Sequence, residues 1–140
     1  SRLIASQVFI HLIHGDLERA RIESQRLEAI AQRSKMRLTI AWAFYLQACS
    51  HLHAYELQAA LSQFTAAYEQ RYVLEPMAAI DGLAGRALTL QLLGFDDDAL
   101  ETVGLLETFV AELNVPYYSS MVHSCRARIA VLQEDLKTAV

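Results

Sequence analysis

The chain has 140 residues, of which 54% are hydrophobic and 20% are charged, so it carries enough apolar material to fold around a core and is not a disordered segment. Its formal net charge of -4 gives no electrostatic reason to expect DNA or an anionic membrane as a direct partner. Its two cysteines, Cys49 and Cys125, are too few for a disulfide scaffold and show no zinc-site spacing, so we expect two small buried residues.

The predicted elements are all helices, because apolar residues recur at spacings of three and four and strand patterns are almost absent. A first helix is expected to end at Gly15, which tolerates the left-handed conformation, and Asp16 is expected to cap the next helix. Further apolar stripes begin near residues 38, 57, 80 and 99. Pro76 is expected in the first turn of a helix, and Pro116 is expected to follow the end of another.

Three consecutive aspartates, Asp96, Asp97 and Asp98, resemble a metal site at first sight. Successive helical residues are rotated by about 100°, so three in a row cannot converge on one ion, and the alternating ligands of a calcium loop are missing. We therefore expect Asp96 to be the N-cap of a helix and the other two to lie in its first turn, facing the positive end of the helix dipole.

An internal repeat of about forty residues appears when GDLERARIES, YELQAALSQF, FDDDALETV and EDLKTAV are aligned as the starts of second helices. An alanine recurs at spacings of 40, 39 and 40 residues: Ala20, Ala60, Ala99 and Ala139. Twelve residues before each lies a small or modest residue of the first helix: Val8, Ala48, Ala87 and Ala127. The pattern predicts one helical repeat domain over 1–140, with repeats at about 1–36, 37–75, 76–115 and a truncated 116–140.

This pattern resembles the tetratricopeptide repeat, in which two antiparallel helices per unit stack into a right-handed superhelix. The resemblance implies an all-α solenoid of stacked helical hairpins. The repeat is longer than the family's usual length of about 34 residues. A polar residue also stands where the family usually has leucine: Gln7, Gln47, Arg86 and Arg126.

The phrases HAYELQAALSQFTAAYEQRY and AAIDGLAGRALTLQLLGFDDDALETV also resemble the helical sensor region of large bacterial transcriptional regulators of the MalT type, in the LuxR family. Those proteins place an NTPase module before the repeats and a helix-turn-helix after them. The chain has neither a GxxxxGK[ST] loop nor a recognition helix with a basic flank, so we expect no cofactor and no direct nucleic-acid contact by this segment.

The ends of the chain also carry expectations. It begins without methionine and ends within a predicted helix, so we expect a piece of a longer protein. Neither a signal peptide nor an apolar run long enough for a membrane span is present in the sequence, and the resemblance implies a cytoplasmic location. An exposed end helix would also allow a second copy to cover it, so a homodimer stays open.

The resemblance implies a concave surface formed by the first helix of each pair, which would receive a protein partner or a small-molecule effector. The residues expected to contact that ligand are Phe9, Trp42, Tyr45, Asp81, Gln91 and Arg128. The alternative is that Trp42 and Tyr45 fill space between neighbouring repeats. The polar column Gln7, Gln47, Arg86 and Arg126 is a second candidate surface, either a docking strip or a solvated face.

Catalytic and metal sites are not expected. His51 and His53 point about 200° apart on a helix, and no acidic or cysteine residue stands four positions after His51. No nucleophile signature surrounds either cysteine, so we expect no enzyme. Two functions remain: a sensor segment of a transcriptional regulator, whose effector favours one packing of the repeats, or a general protein-interaction scaffold.

Overall fold

The computed structural model describes residues 2–138, which fold into helices joined by short turns, with no strand in that range. The all-α prediction is confirmed. The helices are α1 (Arg2–Ile13), α2 (Leu17–Ser34), α3 (Arg37–His53), α4 (Leu57–Glu69), α5 (Pro76–Leu92), α6 (Asp96–Leu113) and α7 (Ser119–Thr138), and a 3₁₀ turn, Pro116–Tyr118, precedes α7. None of the helices within 2–138 is long and apolar enough to cross a membrane.

The chain divides into two compact units, Ser1–Gly82 and Leu83–Val140, and the division falls inside α5. In the first unit α2 packs against α1 and α3, α4 packs against α3, and α1 also contacts α3. In the second unit α6 packs against α7.

Most of the recurring small residues lie in the core, as their spacing predicts, and Ala127 does not. Six of them are fully buried: Val8, Ala48, Ala87, Ala20, Ala60 and Ala99. Ala127 is exposed on α7, and Ala139 lies outside the described residues. Because these side chains are small, the helices that they face can approach closely.

The turns α1–α2, α3–α4 and α5–α6 share one backbone conformation. The central residue of each has a positive φ: Gly15 (73°), Tyr55 (61°) and Gly94 (85°). Its N–H donates to the carbonyl three residues earlier, and the next N–H donates to the carbonyl five residues earlier. This is the Schellman arrangement, which satisfies the free carbonyls at the end of the first helix and turns the chain into the second.

The boundary residues follow the prediction except at α6. The Asp16 side chain accepts a hydrogen bond from the Arg19 N–H at 3.2 Å, and Pro76 is the first residue of α5. The N-cap of α6 is Phe95, so the expectation that Asp96 is the cap is wrong by one residue. Gly94 fixes this register, because the cap is the residue after the left-handed position, as Asp16 is after Gly15. All three aspartates lie in the first turn of α6.

The helix α7 continues unbroken to Thr138, so a second helix beginning at EDLKTAV is wrong. The position equivalent to the left-handed residue of the other repeats is Glu134, which lies inside α7. The sequence from Ser119 to Thr138 contains neither glycine nor proline, so nothing in it interrupts helical hydrogen bonding.

Candidate ligand-binding site

A cavity of about 530 Å³ opens in the first unit between α1, α3 and the turns that follow α2 and α4. Its apolar lining consists of Ala5, Phe9, Leu27, Met36, Leu38 and Trp42, and its polar lining consists of Arg2, Ser6, Thr39 and Glu75. A volume of roughly 300–1,000 Å³ and a mostly apolar wall with a few polar groups are typical of small-molecule sites.

Three aromatic rings form one cluster at this cavity. The ring centroids are 6.1 Å apart for Phe9 and Trp42, 5.9 Å for Phe9 and Tyr45, and 5.7 Å for Trp42 and Tyr45, in edge-on or tilted orientations that aromatic pairs favour. Phe9 and Trp42 are half-buried and line the cavity, whereas Tyr45 is buried behind them. The cluster therefore gives the cavity a firm wall with two ring surfaces accessible to a ligand.

Tyr45 is held in place by a hydrogen bond to α5. Its hydroxyl donates to Asp81 Oδ2 at 2.7 Å. Burial raises the pKa of Tyr45, and the neighbouring Cys49 and Asp81 raise it further, so the phenol stays a neutral donor near pH 7. Asp81 itself is exposed and does not line the cavity. The pair positions the aromatic wall and leaves the contact with a ligand to Phe9 and Trp42.

Both cysteines are free and buried, which confirms the prediction for these residues. Burial raises the pKa of Cys49 to about 12, with the Asp81 charge adding to the effect. Burial also raises the pKa of Cys125, which Arg128 partly opposes. A thiol is nucleophilic as its thiolate, so neither group has the electrostatic surroundings of an activated cysteine.

The predicted residues of the second unit lie in different environments. Gln91 is buried, its amide nitrogen donates to Asp96 Oδ1 at 2.6 Å, and its amide oxygen accepts from Gln133 at 2.9 Å. Both ends of the Gln91 amide are thus engaged within the protein. Arg128 is exposed on α7. The structure brings together Phe9, Trp42, Tyr45 and Asp81 in the first unit.

Two side chains of the polar column, Gln47 and Arg126, bond to a neighbouring helix. Gln47 is only 6% exposed, and its amide donates to Glu28 Oε2 on α2 at 2.7 Å. Arg126 on α7 pairs with Glu107 on α6, and in both cases the acceptor lies 19 residues earlier. A docking strip through Gln47 is therefore wrong, because that side chain is occupied inside the helix packing.

Sequence reasoning missed Glu75 and Met36, which reach the cavity from the turns that follow α4 and α2. The predicted site residues all lie on first helices, and nothing in the spacing of a helical repeat indicates that a turn residue lines a cavity. Sequence reasoning also missed the partner of His51, whose Nδ1 lies 2.5 Å from Glu56 Oε2. Glu56 lies five residues after His51 in the sequence, and the turn between α3 and α4 brings the two side chains together.

The chemistry that this arrangement supports is binding of an amphiphilic organic group by ring surfaces and a few charges. Among the residues that the structure describes, no group of three or more His, Cys, Asp or Glu side chains could hold a metal ion. No family model matches the chain, and no curated protein or solved structure matches it.

Proposed function

We propose that the chain is a non-catalytic binding segment whose cavity beside Phe9 and Trp42 takes a small amphiphilic organic effector. The observation that carries the proposal is that two aromatic residues expected at a binding surface line one cavity together with Arg2 and Glu75. Apolar parts of the effector would be buried against the rings, and the two opposite charges would fix its orientation.

The wider setting in this proposal is a cytoplasmic bacterial transcriptional regulator of the MalT type. Its support is the resemblance noted above, the spacing of Ala20, Ala60 and Ala99, and the shared turns that start the second helices. The helix pairs would belong to a tetratricopeptide-like superhelix, with the NTPase and helix-turn-helix modules outside this chain. An effector would act by binding one packing of the repeats better than another, which shifts the population towards that packing.

The test uses Trp42, the only tryptophan of the chain, as its reporter. A panel of amphiphilic metabolites is titrated into the protein while tryptophan emission is followed. A true effector changes that emission and raises the melting temperature. At a concentration of 100 times its Kd it should raise the free energy of unfolding by about 2.7 kcal/mol. Phe9→Ala should weaken binding by roughly tenfold or more, because a ring contact is worth about 1.5–3 kcal/mol.

Phe95→Ala is the matched control, because it makes the same change at an exposed ring in the second unit. The effector-binding proposal is contradicted if no metabolite changes the emission and a protein partner binds the Phe9→Ala variant as well as the wild type. That result would favour the general interaction scaffold. The regulator setting is tested separately, by determining the coding sequence on both sides of this segment. A kinase or only further repeats there would contradict that setting and leave the cavity unaffected.

A further inference from the structure

Two opposite charges line the cavity of the first unit. Arg2 stands at the start of α1, and Glu75 immediately precedes α5. Neither side chain makes an ion pair with another described residue. Because the two charges do not neutralise each other, a ligand with a single charge would be attracted by one of them and repelled by the other. The lining therefore favours a ligand that carries both charges.

A buried hydroxyl lines the same cavity without a partner. Thr39 is only 5% exposed, and its hydroxyl makes no hydrogen bond within the part of the chain that the structure describes. By contrast, the hydroxyls of three other helical threonines each donate to the carbonyl four residues earlier: Thr89, Thr102 and Thr108. A buried hydroxyl without a partner is costly, so a polar ligand group that bonds to Thr39 gains free energy.

The aromatic wall shares its helix faces with these polar groups. Arg2 and Phe9 are seven residues apart on α1, and Thr39 and Trp42 are three residues apart on α3, so each pair lies on one face of its helix. The ring faces bind apolar groups and also attract a cation within about 6 Å of the ring centre. Each of the two helices therefore offers a polar group and an aromatic ring to the same ligand.

We propose that the effector is a small zwitterion with a large apolar side chain, either an α-amino acid or a dipeptide. Its carboxylate binds the Arg2 guanidinium, its ammonium group binds the Glu75 carboxylate, and the Thr39 hydroxyl bonds to one of these two ligand groups. Its apolar side chain packs against Phe9 and Trp42. The inference rests on the proposed effector function and specifies the chemical class of that effector.

The probes are L-leucine, L-phenylalanine and leucyl-leucine, each titrated into the whole chain by calorimetry and by Trp42 emission. Two analogues of leucine provide the comparison: isocaproate lacks the ammonium group, and isoamylamine lacks the carboxylate. We expect at least one of the zwitterions to bind roughly tenfold or more tightly than both analogues. Each analogue loses a charge-assisted hydrogen bond and keeps the repulsion from the residue of like charge.

Variants of the lining residues test the assigned roles. Glu75→Gln should weaken zwitterion binding by roughly tenfold or more and leave isocaproate binding equal or tighter, because the repulsion is removed. Arg2→Gln should do the same for the zwitterion and isoamylamine. Thr39→Val, which removes the hydroxyl and keeps the shape, should weaken zwitterion binding by roughly twofold to tenfold. Glu69→Gln is the matched control for Glu75→Gln, since Glu69 is exposed in the same unit and does not line the cavity.

Circular dichroism checks that each variant folds. The inference is overturned if none of the three zwitterions binds, if leucine binds no more tightly than isocaproate, or if Glu75→Gln and Glu69→Gln cause equal losses. If an amphiphile without both charges still binds and Phe9→Ala weakens that binding, the cavity remains an effector site and only the ligand class is wrong. If no compound changes Trp42 emission, the proposed effector function fails as well.

Discussion

Tyr55 occupies the left-handed position that glycine fills in the two matching turns. We expect Tyr55→Gly to raise the free energy of unfolding by about 0.5–1 kcal/mol. The left-handed conformation of a non-glycine residue costs roughly 1–2 kcal/mol, which exceeds the roughly 0.5–1 kcal/mol that the added freedom of glycine costs on folding. The ring is 67% exposed, so little packing is lost. Urea unfolding measures the change.

Gly15→Ala and Gly94→Ala are the controls for that prediction. A Cβ at either glycine meets no atom within 4 Å, so the penalty is conformational alone. Each should lower stability by about 1 kcal/mol. A Tyr55→Gly variant that is less stable than the wild type would contradict the strain argument.

Of the three left-handed turn residues, the sequence predicts Gly15 and Gly94 but not Tyr55. Glycine is the residue that most often ends a helix in the left-handed conformation, whereas tyrosine is not a turn residue, so only the count of five residues before the repeat alanine locates Tyr55. The same count places the left-handed residue at Gly94 and hence the α6 N-cap at Phe95, although the three aspartates that follow favour Asp96.

The hydrogen bond between Gln47 on α3 and Glu28 on α2 stabilises the packing of these two helices. Gln47→Ala should lower the free energy of unfolding by about 1.5–3 kcal/mol, because it removes a partly buried hydrogen bond from a buried amide to the Glu28 carboxylate. Arg126→Ala at the equivalent position should lower it by less than about 1 kcal/mol, because both partners of that ion pair are substantially exposed. Chemical denaturation of both variants gives the comparison. Equal losses would show that the burial of this bond does not matter.

The repeat pattern predicts which position of a helix faces its neighbour but not how deeply it is covered. Gln47 and Arg126 share a column in the sequence, yet one is inside the packing and the other at its edge. For the same reason the sequence predicts Phe9 and Trp42 at the candidate site and misses Glu75, which no helical periodicity could assign to a cavity. Depth and loop position arise from tertiary packing.

The pH dependence of stability belongs to the whole molecule. Burial raises the pKa of Tyr45 and of Cys49 in the folded state above their ordinary values of 10.0 and 9.0. Their stabilising contribution is fully present below about pH 9 and is lost as pH rises from there towards 12, because the unfolded chain releases these protons first. Stability should fall by up to roughly 1.4 kcal/mol per pH unit for each group.

Urea unfolding between pH 8 and about pH 11 measures this decline. A Tyr45→Phe, Cys49→Ala double variant should be less stable near pH 8 and show a flatter profile at alkaline pH. The same slope in variant and wild type would mean that other groups cause the decline.

Each of the two compact units contains one buried free cysteine, Cys49 in Ser1–Gly82 and Cys125 in Leu83–Val140. A thiol-specific alkylating reagent can reach such a group only when the structure around it opens. Labelling rates followed by mass spectrometry therefore report the opening of each unit separately, in the unmodified protein. Equal rates under all conditions would indicate one cooperative unit, and different rates would give each unit its own opening free energy.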